Sequence, residues 1–250
     1  MVHPSEVGFT LPKFGTIWHD TSYPAINPKR PELSASGKSI VITGGGQGIG
    51  AATARSFAEA GAKHIAILGR TKKTLDNTAE PLRSTYPATK THAYVADITD
   101  AASVEKVFSE FESAIGAKID VLVSSASLWP ETVAIQDASP DDFINDIQVN
   151  IRGPLNLAQA FLKHGKEDGV IVNVTSLLSF ITMGPATYCV GKEAALRFFQ
   201  ILGTQHPSLR IITIHPGVVD TEMNRRSGIP ALDHGTFLGQ LLLLSCVLRC

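Results

Sequence analysis

The chain has 250 residues, of which 44% are hydrophobic and 18% charged, with a formal net charge of −1. That is a soluble globular composition with room for one sizeable α/β core and no overall charge bias toward nucleic acid or an anionic membrane. Its longest apolar run, 237–248, falls short of the ~20 residues of a membrane span and contains glycine, glutamine and serine.

Cys189, Cys246 and Cys250 are too few for a disulfide framework or a metal cluster, so no metal is expected. Free thiols suit a reducing compartment, and residues 1–20 do not resemble a secretory signal, so a cytoplasmic location is expected. Residues 1–38 carry five prolines (Pro4, Pro12, Pro24, Pro28 and Pro31) and no clear period. They read as an extended or disordered arm.

Ile40, Val41 and Ile42 form a β-branched run bounded by glycines, the mark of a buried parallel strand. Gly44, Gly48 and Gly50 follow as Thr-Gly-x-x-x-Gly-x-Gly, and residues 51–60 predict a helix that stops at Gly61. Strand, glycine turn and helix together make a phosphate-binding opening. The turn lets backbone N–H groups approach a pyrophosphate at the positive end of the helix. A glycine turn alone is as readily only a tight turn; its place between strand and helix gives it weight.

A second strand, 64–68, ends in Leu68-Gly69-Arg70. An acidic residue about 20 positions past the glycine turn would hold the ribose 2′-hydroxyl of NAD. Arg70, followed by Lys72 and Lys73, instead suits the 2′-phosphate of NADP, which a guanidinium binds in a charge-assisted fork. NADP is therefore favoured over NAD, the plainer role for Arg70 being a surface residue at a strand end.

A helix is predicted over 71–85, interrupted by Pro81, then a strand over 91–95 and a helix over 101–115. Asp97 sits where ligands bind in such sheets, with turn formation as its alternative, and Asp100 reads as a helix N-cap. A fourth strand, 119–123, precedes a long helical region over 139–164. Ser139 caps it, with Pro140, Asp141 and Asp142 in its first turn. A strand over 170–174, a helix over 186–202 and a strand over 210–214 complete the alternation. It predicts a Rossmann-type doubly wound parallel sheet in the order 3-2-1-4-5-6.

Tyr188 and Lys192 stand four apart on one helix face. A free tyrosine titrates near ~10, and a neighbouring ammonium together with an oxidised nicotinamide would stabilise its phenolate. Ser176, at the end of the fifth strand, can hydrogen-bond the same substrate oxygen, with Thr175 as its alternative. A Tyr-x-x-x-Lys pair alone is usually an ordinary helix face.

In combination, the 43–50 turn, Asp97, Asn150, Ser176, Tyr188 and Lys192 resemble the classical short-chain dehydrogenase/reductase family in order and spacing, over about 36–223. The resemblance implies hydride transfer between NAD(P) and a small-molecule alcohol or carbonyl. It makes Tyr188 the general acid/base, Lys192 the group that holds the nicotinamide ribose and lowers the tyrosine pKa, and Ser176 the substrate-orienting residue. Asn150 would complete a proton relay through water. It also implies cofactor contacts from Thr43, Gly44, Gln47, Gly48, Ile49 and Gly50 in the turn, and from Arg70, Asp97, Ile98, Ser125 and Ala126 at the next strand ends. Asn150, Tyr188, Lys192, Pro216, Gly217, Val219 and Thr221 complete that set. Trp129, Leu177, Leu178, Phe180, Met183 and Met223 fall in segments that can line an apolar pocket. Homo-oligomers are common in the family.

The chain departs from the family pattern in three places, one of them a Ser176-to-Tyr188 interval one residue shorter than in many members. The Asn-Asn-Ala-Gly motif appears as Ser124-Ser125-Ala126-Ser127, whose serines can recover some of the lost hydrogen bonds while Ser127 is expected to crowd the ribose. After Met223 the segment 224–250 offers an apolar stretch, 237–246, and no evident seventh strand. The catalytic domain is therefore taken as 39–223, with the sixth strand an open edge beside uncovered apolar surface. The sequence thus predicts an NADP(H)-preferring oxidoreductase for a secondary alcohol or ketone. The alternative is a non-catalytic dinucleotide-binding protein or a truncated, inactive family member.

Overall fold

β1 (Ser39–Thr43) lies inside a parallel sheet between β2 (His64–Gly69) and β4 (Ile119–Ser124). β3 (Lys90–Val95) flanks β2, while β5 (Gly165–Val174) and β6 (Arg210–Ile214) extend the other wing. The six strands run β3-β2-β1-β4-β5-β6, the order that right-handed crossovers require. The computed structural model describes residues 21–181, 183–228, 230–231 and 235–247, and within the last span the side chains of 239–244 and 246.

Alternation along the strands builds two cores. Ile40 and Ile42 join Phe57 of α1 (Gly48–Glu59) and Leu75 of α2 (Lys72–Thr85). Val41 joins the opposite layer, with Phe108 and Phe111 of α3 (Ala101–Ile115), Phe161 of α4 (Pro140–His164) and Phe199 of α5 (Ala186–Gln205). A strand covered on both faces must be apolar at successive positions, which explains the unbroken Ile-Val-Ile run. The chain winds outward from β1 to β3 and then crosses back to β4. The carboxyl ends of β1 and β4 therefore diverge at a switch point, the place where such sheets bind ligands.

Helix ends follow the local chemistry. Asp100 caps α3 by accepting from Ala102 N at 3.0 Å, and Ser139 caps α4 by accepting from Asp142 N at 3.4 Å. Helix α2 runs unbroken through Pro81, where an interruption was expected. Arg83 ties it to β3 through two bonds to the Thr91 carbonyl, at 3.1 and 3.0 Å.

Two terminal expectations change. Residues 1–20 lie outside the described residues, but 21–38 are neither extended nor loose. Pro24 and Pro31 each start a short 3-10 turn, Ile26, Leu33 and Ala35 are buried, and Ser36 bridges Ala62. The prolines pre-set these turns, and the apolar residues between them anchor the segment to the core. Past the short α6 (Glu222–Ser227), the C-terminal apolar stretch forms α7 (Gly235–Val247), which packs on α1 and buries Leu242, Leu243 and Cys246. Gly239 allows that approach, because a Cβ there would lie 2.5 Å from the Ala52 carbonyl oxygen. The apolar surface expected to lie bare is thus covered from its own helix. Among the described residues there is no seventh strand, and β6 pairs with β5 alone, its residues half-buried.

Candidate active site

The glycine turn leaves β1 and enters α1 at the switch point. Gly44 has φ +68°, and a Cβ there would lie 3.1 Å from Ala126 Cα, so the position needs glycine twice over. A Cβ at Gly50 would collide with the Gly44 carbonyl oxygen, so the first turn of α1 packs directly on the loop. Thr43 is buried beneath this turn. Its hydroxyl accepts from Ser125 N at 3.0 Å and Ala126 N at 3.1 Å, and Ser125 Oγ donates back to the Thr43 carbonyl. Serine thereby ties the ends of β1 and β4 together where the family pattern has asparagine.

An open cleft runs over this turn, lined by Gly44, Gln47, Gly48, Ile49, Gly50, Arg70, Asp97, Ile98, Ser125 and Ala126, and beyond them by Tyr188, Lys192, Pro216 and Thr221. Backbone without side chains at the helix N-terminus, with a cation at the far end, fits a dinucleotide pyrophosphate and a ribose phosphate. Arg70 is exposed at the rim. The Asp97 carboxylate closes its own turn, accepting from Thr99 N at 2.8 Å and Thr99 Oγ1 at 2.7 Å. Burial on its own would raise the Asp97 carboxyl, but those bonds and the Arg70 charge outweigh it and hold it low. Gly217 and Val219 face an adjoining pocket, and Asn150 lies buried outside the cleft wall.

Tyr188 and Lys192 are 8% and 5% exposed on the inner face of α5, beside the end of β5. Lys192 Nζ donates to the Val174 carbonyl at 2.9 Å and stands 5.8 Å from the Tyr188 ring centroid. Burial brings the Lys192 ammonium down to about 8. Burial also raises Tyr188, against the opposing pull of the Ser176 and Ser127 hydroxyls. Desolvation dominates at the phenol, and the Lys192 ammonium is bonded to a backbone carbonyl.

Ser176 caps a 3-10 turn by accepting from Leu178 N at 3.2 Å. His215 fixes the same turn: its Nδ1 accepts from Leu177 N at 3.0 Å, which places the ring proton on Nε2. Thr175 is buried with its Oγ1 3.5 Å from Ser179 Oγ, while Ser176 lines the apolar pocket with Tyr188 and its hydroxyl pulls the phenol pKa down. Asn150 Oδ1 accepts from Ser127 Oγ at 3.2 Å. Gly191 makes room for Asn150, since a Cβ there would fall 2.9 Å from Asn150 Cβ. Pro154, four residues on in α4, has no N–H to give the Asn150 carbonyl.

The second pocket adjoins the first across Tyr188, with Trp129, Leu177, Leu178, Met183 and Met223 as walls and the Trp129 ring 4.9 Å from Tyr188 at 50°. Phe180, expected there, is 70% exposed and takes no part. Gly191 is a site residue that sequence reasoning did not assign, whereas Ser127 was visible as a departure from the family motif and His215 as the start of the sixth-strand motif. Among the described residues no His, Cys, Asp or Glu group can hold a metal ion, and no helix is long and apolar enough to cross a membrane.

The family model described as short chain dehydrogenase matches residues 38–229. The chain belongs to the short-chain dehydrogenase/reductase family. A short chain dehydrogenase of Aspergillus terreus is 33% identical over 213 residues, covering 82% of this chain, which spans only 46% of that relative. A sorbose reductase of Schizosaccharomyces pombe is 29% identical over 199 residues, covering 76% of each chain. The crystal structure of a short chain dehydrogenase from Burkholderia cenocepacia in complex with NADP superposes with a TM-score of 0.76 at 25% identity, covering 85% of this chain and 91% of that one.

Proposed function

We propose that this chain is an NADP(H)-preferring oxidoreductase that interconverts a ketone and a secondary alcohol, with Tyr188 as general acid/base. The carrying observation is the convergence of Ser176 and Tyr188 between a glycine-lined cleft and an apolar pocket, with Lys192 buried beside them. The sorbose reductase and NADP-complex relatives support the direction and the cofactor.

A bound nicotinamide supplies a hydride to the carbonyl carbon, or takes one from the alcohol carbon in the reverse direction. The 43–50 turn and the N-terminus of α1 would hold the pyrophosphate, Arg70 the 2′-phosphate, and Lys192 and Tyr188 the nicotinamide ribose. Ser176 orients the substrate oxygen, and Tyr188 donates its phenolic proton to that oxygen in reduction. Burial disfavours the phenolate, which suits proton donation in reduction. In oxidation the phenolate must first form and then takes the hydroxyl proton. Trp129, Leu177, Leu178 and Met183 exclude water from this exchange and select apolar substrates.

Helix α4 leaves Ile144, Ile151, Leu155 and Leu162 exposed at heptad spacing, a stripe suited to a second copy of the chain. A cytoplasmic homo-oligomer is part of this reading.

Thermal melts with matched saturating NADPH and NADH test the cofactor assignment, because a ligand that binds the native state alone raises stability by RT ln(1 + [L]/Kd). A larger rise with NADPH is expected. A cooperative melt unmoved by either nucleotide favours a protein that keeps the fold without the chemistry.

A further inference from the structure

Ser176 is bracketed by two bonds to the end of β6. Thr175 N donates to the Ile214 carbonyl at 2.9 Å, and Leu177 N donates to Nδ1 of His215, the next residue, at 3.0 Å. The first bond ends the β5–β6 pairing, and the second is made by a side chain just beyond it. Ser176 then caps its 3-10 turn, with Oγ accepting from Leu178 N at 3.2 Å and Ser179 Oγ donating to the Ser176 carbonyl at 2.6 Å. The direction of the Ser176 hydroxyl is thus set by a turn whose first residue, Leu177, is held by the His215 ring.

A hydroxyl that accepts from Leu178 N keeps its own proton for one further acceptor, which suits Ser176 to the substrate oxygen. His215 can hold Leu177 N only while neutral, because an imidazolium carries a proton on both nitrogens and would set N–H against N–H. Part of the ring is open to the apolar pocket, yet burial holds its pKa below the usual imidazole range and favours the acceptor form at neutral pH. Of the residues that line this pocket, Tyr188 on α5 is the one other that titrates, and Glu222, Arg225 and Arg226 of α6 stay outside it. We propose that His215 is a positioning residue for the reaction, holding Ser176 toward the substrate oxygen through Leu177 N and releasing it on protonation. The proposal deepens, and rests on, the reading of Ser176 and Tyr188 as the groups that meet the substrate.

The test is steady-state reduction of one ketone by NADPH from about pH 5 to about pH 8. His215→Ala is expected to lower kcat about ten-fold at neutral pH, the cost of a loosely held group, with the NADPH-induced melting shift intact. His215→Asn, whose Oδ1 can take the place of Nδ1, recovers most of that loss. Wild-type kcat falls on the acid side, and His215→Asn loses that fall because an amide does not titrate. In a Ser176→Ala background His215→Ala costs nothing more, since its effect runs through Ser176. An equal cost in that background, an acid fall that survives in His215→Asn, or wild-type kcat in His215→Ala overturns the proposal. Should His215→Ala fail to melt cooperatively, the pH profile of His215→Asn and the ring tautomer decide. Nitrogen NMR of the cofactor-free protein reads that tautomer, with His215→Asn identifying the signal among eight histidines. The proton is expected on Nε2 at neutral pH, and a proton on Nδ1 overturns the proposal whether or not the protein turns anything over. A protein that binds NADPH and reduces no ketone refutes the enzyme reading, and the positioning role with it, even where the tautomer is as expected.

Discussion

Lys192 Nζ donates to the Val174 carbonyl at 2.9 Å from a side chain buried inside the fold. Unfolded, this lysine holds its proton up to about 10.5; folded, it releases it near about 8. The unfolded state therefore binds more protons between those values, and stability rises with pH across them. The penalty is fully present below about pH 8 and amounts to roughly 3 kcal/mol.

Lys192→Met is accordingly expected to raise the melting temperature of the cofactor-free protein at neutral pH while abolishing turnover. The gain over wild type should shrink as pH rises from 8 to 10. Paired melts across that range check both statements. Comparing two proteins cancels the groups they share, including Tyr188, whose raised pKa works in the opposite sense.

Ser176→Ala should lower turnover by about 10²-fold and Thr175→Val by much less, because Ser176 lines the pocket with Tyr188 while the buried Thr175 hydroxyl faces Ser179. Steady-state kinetics with one ketone separates them.

Arg70→Glu should weaken NADPH by about 10–100-fold and leave NADH nearly unchanged, the loss of charge-assisted bonds to a 2′-phosphate. Titration of both nucleotides against each protein reads this directly. Equal losses for both would make Arg70 a general rim charge.

Leu243→Ala should cost about 2–5 kcal/mol if α7 belongs to the cooperative fold, since Leu243 is fully buried. Gly239→Val should displace α7 from Ala52. Denaturant melts measure both.

Much of this architecture was legible in sequence because the strands are buried on both faces. Ile40-Val41-Ile42 between glycines reads as a buried strand, and Asp100 and Ser139 announce the helices that they cap. The terminal segments were harder to read. Prolines at 24 and 31 look the same in a loose arm and in a packed 3-10 turn, and Ile26 and Leu33 decide between the two only through contacts distant in sequence. The 237–246 stretch is apolar apart from Gln240 and Ser245 and shows no one-sided period, so periodicity could not say that it folds back on α1. Spacing places a lysine near Tyr188 but does not reveal that its ammonium is bonded to the Val174 carbonyl. Gly191 acts through close approach to Asn150, for which the sequence carries no signal, and the motif that contains His215 does not reveal its bond to Leu177 N.

The most direct measurement follows nicotinamide absorbance with NADPH and a panel of apolar ketones, for wild type and Tyr188→Phe. Wild type should oxidise NADPH with at least one ketone, and Tyr188→Phe should fall by about 10²–10⁴-fold while its NADPH-induced melting shift remains. Undiminished turnover in Tyr188→Phe, or none in wild type despite demonstrated NADPH binding, would contradict the assignment.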